Sequence, residues 1–470
     1  MMYWKDKTFL YIIHLVGVVF FHALATKGLT LYNKTSLSRR RPFLSGAAGE
    51  NMEQSVETKA KPAPDKKRIS IPPEYLFTLA AMVLAMAVVW AFTGHWPTSE
   101  NPYRSYTLQA LAWLDGRLEL DMNYTWLELA VYKGKYYVSF PPFPSFVMLP
   151  FAAIFGPNTP DHLVSLFFTL VGVIYALKLY RALSGDLERA EKYVLFLFLA
   201  NGYLFISIQG WVWYLAQVMC FCLSLMALYY AVRGRGGLSL AFWACAVGCR
   251  PMVVIYLPLL AVLIIRQWKK QENPLGALGL IKKRWYWAIA PTVIAAVYMG
   301  LNYARFGNPL EFGHNYLPEF QLAEHGQFSF HYLLPNLINI CRLPTLNSKG
   351  GALQFAGFDC MAFWLIAPMT ISFLAAFMYA VVYKGRKHLF DLIALPLMLL
   401  THLLIICCHR TMGGYQFGNR YIVDMLPYVF YGLLLFHPRE KGFHLLTTML
   451  MTLGFALNLV GTIAVYNHWI

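Results

Sequence analysis

Between two strongly apolar segments the chain carries a polar stretch, residues 95–151, that mixes acids, bases, aromatics and turn formers. Glu100, Asp115, Glu119 and Asp121 are its carboxylates in the first part of that stretch. Arg104, Lys133 and Lys135 lie beside them, while Arg250, Arg305, Arg410 and Arg420 stand at or near the edges of later apolar runs. A carboxylate is suited to general-base work on a hydroxyl. Two or three guanidinium groups at a membrane surface suit a lipid phosphate, which they grip through bidentate charge-assisted bonds. Arg250 is the sharpest case: in GCRPMVVIYLPLL it interrupts an apolar run, where a charge is costly and marks a site unless it merely snorkels to the interface. Arg420, in QFGNRYIVDMLP, enters a span from a polar loop and reads either as a second phosphate contact or as a boundary anchor. Trp96, Trp126, Tyr136, Tyr137, Trp211, Trp213 and Tyr214 could line a sugar-stacking wall; the blander account is an interfacial aromatic belt.

These groups need elements to hold them. Tyr103, Tyr106, Thr107, Ala110, Leu111 and Leu114 recur at helical spacing, with Arg104, Ser105 and Gln109 turned elsewhere, which predicts an amphipathic helix. Asn101 suits its N-cap and Pro102 its first position. Glu100 then lies just outside a helix N-terminus, where the dipole keeps a carboxylate ionised, as a base must be. Asp115, Glu119 and Asp121 follow that helix around Gly116 and read as turn or solvated residues. The stretch 131–138 predicts a tight hairpin with Lys133-Gly134 at its turn, and Pro141-Pro142 then breaks the chain.

The 470 residues are 58% hydrophobic and only 13% charged, against about 25% charge in a soluble domain. Mean hydropathy is +0.48. Repeated apolar runs of about 20 residues predict an all-α polytopic membrane protein, since helices satisfy their own backbone in lipid. The net charge of +16 does not argue for nucleic acid, because the basic residues lie in short loops between apolar runs. Apolar segments fall near 75–92, 144–156, 162–181, 193–209, 211–232, 239–266, 285–303, 361–383, 389–408, 422–437 and 444–465. Basic loops at 181–192, 233–235, 266–283, 384–387 and 439–441 belong on the cytoplasmic side, which places 95–140, 304–358 and 409–420 together outside. The alternation does not close if every run crosses fully, so short or broken helices are expected, one at Gly248-Cys249-Arg250-Pro251.

Residues 9–25 could form a further membrane segment, followed by a basic linker with Arg39-Arg40-Arg41 and Lys66-Lys67-Arg68; Met52 is an alternative start. The expected divisions are 1–74, an N-terminal extension; 75–303, a membrane module with its first outer loop at 93–143; 304–360, an interfacial segment; and 361–470, C-terminal membrane helices. The eight cysteines have no metal-ligand spacing, and Cys220, Cys222, Cys245, Cys249, Cys407 and Cys408 read as small buried hydrophobes. Glu311, His314, Glu319, Glu324, His325 and His331 match no strong zinc signature, so this stretch reads instead as interfacial helices over a cavity. Asp161 and Asp424 read as loop or helix-boundary residues, and His162, His402 and His409 as structural.

SENPYRSYTLQALAWLDGRLEL, YKGKYYVSFPPFPSFVMLPF, CRPMVVIYLPLL and QFGNRYIVDMLP, in that order, resemble the GT-C superfamily of membrane glycosyltransferases, nearest the aminoarabinose transferases and protein O-mannosyltransferases. The resemblance covers most of 75–437. It implies a GT-C-like helical bundle with a large first extracytoplasmic loop carrying amphipathic helices, in the bacterial cytoplasmic membrane. It implies a polyprenyl-phosphate-linked sugar donor, a glycan, lipid or protein acceptor in the cell envelope, and inverting transfer. No cofactor is firmly implied; a divalent cation is compatible. Glu100 takes the family's acidic position, and Asn101 departs from it. Phe140 stands where the aminoarabinose branch has a Lys before the Pro-Pro pair, and Arg250 stands where that branch has a Lys facing lipid phosphate. The second acidic position is not evident; Gln209, Tyr214 and Gln217 are what the sequence offers there. The expected site is Glu100 as base, with Arg104, Asp121, Lys135, Tyr137, Arg250 and Arg420 on substrate. A polyprenyl-lipid binder, flippase or transporter is the alternative, although no internal repeat of the transporter kind is found.

Overall fold

The computed structural model describes residues 71–270, 276–346, 353–356, 359–383, 389–438 and 440–470. The expected segment 9–25, the basic linker after it and the Met52 start lie outside the described residues, as do the basic loop 384–387 and Arg439.

α1 (Pro73–Thr93) is a single apolar helix that ends at Gly94 in the left-handed conformation, whose N–H closes back on the Trp90 carbonyl. The polar stretch follows. It holds α2 (Ser105–Leu114) and a hairpin of β1 (Leu129–Tyr132) and β2 (Lys135–Val138), with Tyr132 paired to Lys135. The two-residue turn requires positive φ at both Lys133 (49°) and Gly134 (74°), which is why a glycine stands there. α3 (Phe143–Phe155) starts directly after Pro142.

The centre of the bundle is α7 (Val212–Val232), packed against α4 (Asp161–Ser184) and α8 (Gly236–Val247). Nearly all of α7 is buried, including Tyr214, Gln217, Cys220 and Phe221. Between α4 and α7 the chain makes two short helices, α5 (Ala190–Leu199) and α6 (Tyr203–Ser207), rather than one span. Asn201 occupies the break: its amide donates to the Phe196 and Leu197 carbonyls at the end of α5, which otherwise lack partners. The expected interruption after α8 is present. Arg250 is extended, a 3₁₀ turn covers Pro251–Tyr256, and α9 (Leu257–Lys270) follows.

α10 (Gly276–Arg284) and the largely exposed α11 (Ile289–Phe306) come next. Short elements then cross the polar side: α12 (Pro318–Gln321), α13 (Leu333–Cys341), the two-residue strands β3 (Thr345–Leu346) and β4 (Leu353–Gln354), and α14 (Phe363–Ile366). α15 (Met369–Tyr383), α16 (Leu389–Cys407), α17 (Leu426–Phe436) and α18 (Lys441–Tyr466) complete the chain. Seven helical stretches among the described residues are long and apolar enough to cross a membrane. The protein is an all-α, multi-pass membrane protein with a two-stranded hairpin on its first loop. Asp391, fully buried at the start of α16, is paired at 2.6 Å with Arg266 of α9, as an ionisable group in such a helix must be.

Two expectations about the first loop need correction. The helix begins at Ser105, not at Pro102, because Asn101 caps nothing: its oxygen accepts from the Tyr103 N–H and its amide donates to the Gly210 carbonyl. Gly210 must be a glycine there, since a Cβ would stand 2.5 Å from the Asp161 carbonyl. Its N–H in turn donates to His162 Nδ1. The buried face of α2 is broader than expected: Tyr106, Thr107 and Ala110 are buried as the spacing predicts, and Ser105 and Gln109 are buried with them. Gln109 is drawn inward because it accepts from Ser145 of α3 at 2.7 Å, while Thr107 donates to Asp161 of α4 at 2.9 Å and Leu114 is half exposed.

Candidate functional site

A cavity of about 240 Å³ opens where the first loop, the α8–α9 break, the 308–332 segment and the 408–425 loop meet. Irregular backbone at membrane depth is tolerated where it lines such a space. The 308–332 segment packs onto the hairpin: His314 Nδ1 donates to the Ser139 carbonyl at 2.9 Å, and Tyr316 lies 4.7 Å from the Tyr132 ring. Ser329 N–H reaches the Cys408 carbonyl, so the 408–425 loop is tied to the same face.

The cationic wall is built on Arg250 and Arg420. Arg250 Nε donates to Asp424 Oδ2 at 2.7 Å; Asp424 is 2% exposed and Arg250 is 24% exposed at its side chain. Gln217 of α7 joins this pair to the second guanidinium. Its amide donates to Asp424 Oδ1 and to the Arg420 carbonyl, and its oxygen accepts from Arg420 Nη1 at 3.2 Å. Both guanidinium groups lie over the Tyr421 ring, at 4.9 and 5.0 Å from its centroid. Two cations and one carboxylate leave this wall with net positive charge.

The rest of the lining is carboxylate, imidazole and aromatic. Glu128 accepts from Trp213 Nε1 at 3.1 Å. Protein atoms crowd its carboxylate although the cavity keeps it open to solvent, and this desolvation raises its pKa against the lowering effect of the Trp213 bond. Glu319 is raised by desolvation as well, with Arg410 acting against it. Burial lowers His314 to about 4, so it is neutral at physiological pH, with Nδ1 carrying the proton and Nε2 its lone pair. His409 is likewise lowered to about 4 by burial. Phe312, Phe320 and Phe328 supply the apolar surface. The arrangement can hold a phosphate, lay a sugar ring on aromatic faces, and take a proton.

Of the seven site residues expected from sequence, Arg250 and Arg420 line this cavity, and the other five do not. Glu100 is exposed, and residues 101–104 separate it from the first residue of α2, so it does not stand at that helix's N-terminus. Arg104 donates to the Pro157 carbonyl, Asp121 accepts from Tyr124, and Lys135 pairs with Glu119 on the exposed face of the loop. Tyr137 is buried in a small cluster with Ala130 and Phe306. Arg305, also buried, donates to the Val138 carbonyl and Asn302, fastening the hairpin to α11. Glu128, His314, Glu319 and Asp424 were not expected at the site, and Gln217 was expected only as one of three residues offered at the second acidic position. A faint signal existed for Asp424 alone, four residues from Arg420, one helical turn apart in a stretch leading into a span.

No protein-family model matches the chain, and no curated protein sequence matches it. Its fold is similar to that of ArnT from Cupriavidus metallidurans, solved bound to undecaprenyl phosphate: TM-score 0.50, 14% identity, covering 85% of this chain and 78% of that one. The apo state of the same ArnT gives a TM-score of 0.49 at 15% identity, with the same coverage of 85% and 78%. The apo oligosaccharyltransferase of Archaeoglobus fulgidus gives 0.42 at 13% identity, covering 84% of this chain and 56% of that one. At these identities the likeness is one of fold: the chain shares the polytopic helical membrane fold of that ArnT.

Proposed function

We propose that this protein is a membrane glycosyltransferase that moves a sugar from a polyprenyl-phosphate donor to an acceptor hydroxyl outside the cytoplasmic membrane. The observation that carries the reading is the pairing of Arg250 and Arg420 over one tyrosine ring with a single carboxylate between them. Such a wall lacks one negative charge, and a phosphate supplies it. The ArnT whose fold the chain shares was solved with undecaprenyl phosphate, a lipid carrying that group.

In this reading the acceptor oxygen attacks the anomeric carbon and its proton passes to a carboxylate. The bond from that carbon to the phosphate oxygen breaks, its electron pair leaves on the polyprenyl phosphate, and the anomeric configuration inverts. Arg250 and Arg420 stabilise the charge that grows on the departing phosphate. The base is a carboxylate of the first loop, and Glu128 is assigned the role because it is the one that faces the cavity. Its raised pKa brings it toward the working pH, where a base accepts a proton most effectively. Trp213, Phe312 and Phe320 give the sugar ring its apolar walls. The acceptor is a glycan, lipid or protein hydroxyl of the cell envelope.

The test is donor consumption by the purified protein across a panel of polyprenyl-phosphate sugars. Release of polyprenyl phosphate from one member, abolished by Glu128→Gln, is the expected result. Tight donor binding without consumption of any member, supplied with candidate acceptors, would favour a non-catalytic binder or flippase that uses the same phosphate clamp.

A further inference from the structure

A second hollow, of about 210 Å³, lies at the other end of α7. Trp213, which lines the first cavity, and Tyr230, which lines the second, sit on the same helix; at about 1.5 Å per residue they are roughly 25 Å apart. The second hollow is lined by Lys178 of α4, Tyr229 and Tyr230 of α7, and Arg233 and Arg235 of the connection to α8. No carboxylate is among them. Neither Arg233 nor Arg235 has an ion pair or a side-chain hydrogen bond among the described residues. The Lys178 ammonium lies 4.6 Å over the Tyr175 ring, and the Tyr175 and Tyr230 hydroxyls are 2.9 Å apart.

Loop cations are expected on the side of a membrane protein that stays in the cytoplasm. That rule accounts for Arg233 and Arg235 in a short loop. It does not account for Lys178, within a membrane helix, turning to the same concave space, nor for two tyrosines forming its floor. Three like charges around one hollow repel each other unless an anion neutralises them. Phosphate oxygens accept from guanidinium, ammonium and phenol groups alike, and the tyrosine rings suit the interfacial depth of a headgroup.

The geometry points to a binding site for the phosphate group of an anionic phospholipid, in the leaflet opposite the first cavity. Free phosphate shares that chemistry, and the experiment separates the two sources. The site is independent of the transferase reading, since it shares no residue with the first cavity.

The measurement is binding of fluorescent phosphatidylglycerol to the full chain in phosphatidylcholine nanodiscs. Each interfacial cation contributes roughly fivefold in affinity, so the pair Arg233→Gln and Arg235→Gln lowers it about thirtyfold. Lys178→Met alone lowers it several-fold. The charge-keeping pair Arg233→Lys and Arg235→Lys retains binding, and an unchanged melting temperature in pure phosphatidylcholine shows that each variant folds. Inorganic phosphate that displaces the lipid at millimolar concentration marks a free-phosphate site; failure to displace it marks a headgroup site. Wild-type affinity in both the Gln pair and Lys178→Met overturns the proposal and leaves these cations the task of orienting the protein.

Discussion

Arg250 and Asp424, 174 residues apart in the chain, meet at 2.7 Å in the wall of the first cavity. The aspartate is almost wholly buried, whereas the arginine side chain is 24% exposed and lines the cavity. That asymmetry assigns them different tasks: Asp424 holds, and Arg250 presents.

Arg250→Ala therefore has two separable consequences. It leaves the Asp424 carboxylate without its cation, at a stability cost of about 3–5 kcal/mol, and it removes a phosphate contact. The double variant Arg250→Ala with Asp424→Ala recovers much of the melting temperature but none of the donor affinity. Arg250→Lys keeps the charge without the fork and falls between wild type and Arg250→Ala in donor binding. Donor affinity that returns together with stability in the double variant would reduce Arg250 to a packing role.

Glu128→Gln preserves shape and removes the base, so turnover falls by about a hundredfold to ten-thousandfold, with donor binding kept. Glu100→Gln, on the exposed approach to α2, keeps most activity. Transfer assays on the two variants in matched membranes decide between the carboxylates; the opposite ranking returns the base to Glu100.

The acid limb of the pH–activity profile reports the base. Desolvation raises the Glu128 pKa, which moves this limb upward from the ordinary glutamate value. The Trp213 hydrogen bond favours the ionised form, and Trp213→Phe removes it. The limb then moves further toward neutral pH, with activity at alkaline pH little changed. A limb that ignores the Trp213 substitution belongs to another group.

Stability has its own pH signature. His314 and His409 have folded-state values near 4 against an ordinary 6.5. Between those values the unfolded chain binds more protons than the folded one, so their contribution is complete above about 6.5 and is lost as pH falls toward 4. Melting temperature measured from pH 8 to 4 should fall through that window, and His314→Asn should flatten the slope. A flat profile in the wild type would mean that neither imidazole stays neutral in the fold.

The first loop and the 308–332 segment are packed together through His314 and Ser139, so they occupy one side of the membrane. We predict the extracytoplasmic side. Single cysteines at Thr98 and Glu324, both exposed, in a chain otherwise free of cysteine should label with an impermeant thiol reagent in intact cells. Labelling only after the cells are opened would invert the orientation.

The membrane class, the hairpin and the break before α9 are legible in the order of residues because each follows from local physics. Runs of apolar side chains partition into lipid whatever their neighbours. Lys133-Gly134 supplies two adjacent positive-φ positions, and Pro251 after Arg250 stops a helix without outside help. Arg250 stood out for the same local reason, as a charge set in an apolar run. The start of α2 was not legible, because Asn101 gives its side chain to the Gly210 carbonyl, 109 residues away, instead of to the helix that follows it. Nor was the burial of Gln109, since its partner Ser145 lies on α3, 36 residues away. Glu128 was not among the loop carboxylates that the sequence singled out. It becomes a cavity residue only when α7 brings Trp213 to it and the 308–332 segment completes the lining. Asp424 looked like a boundary acid until the break before α9 delivered Arg250 to it. Hydrogen bonds and ion pairs between distant segments depend on where the folded chain places both partners, and no window of local sequence contains both.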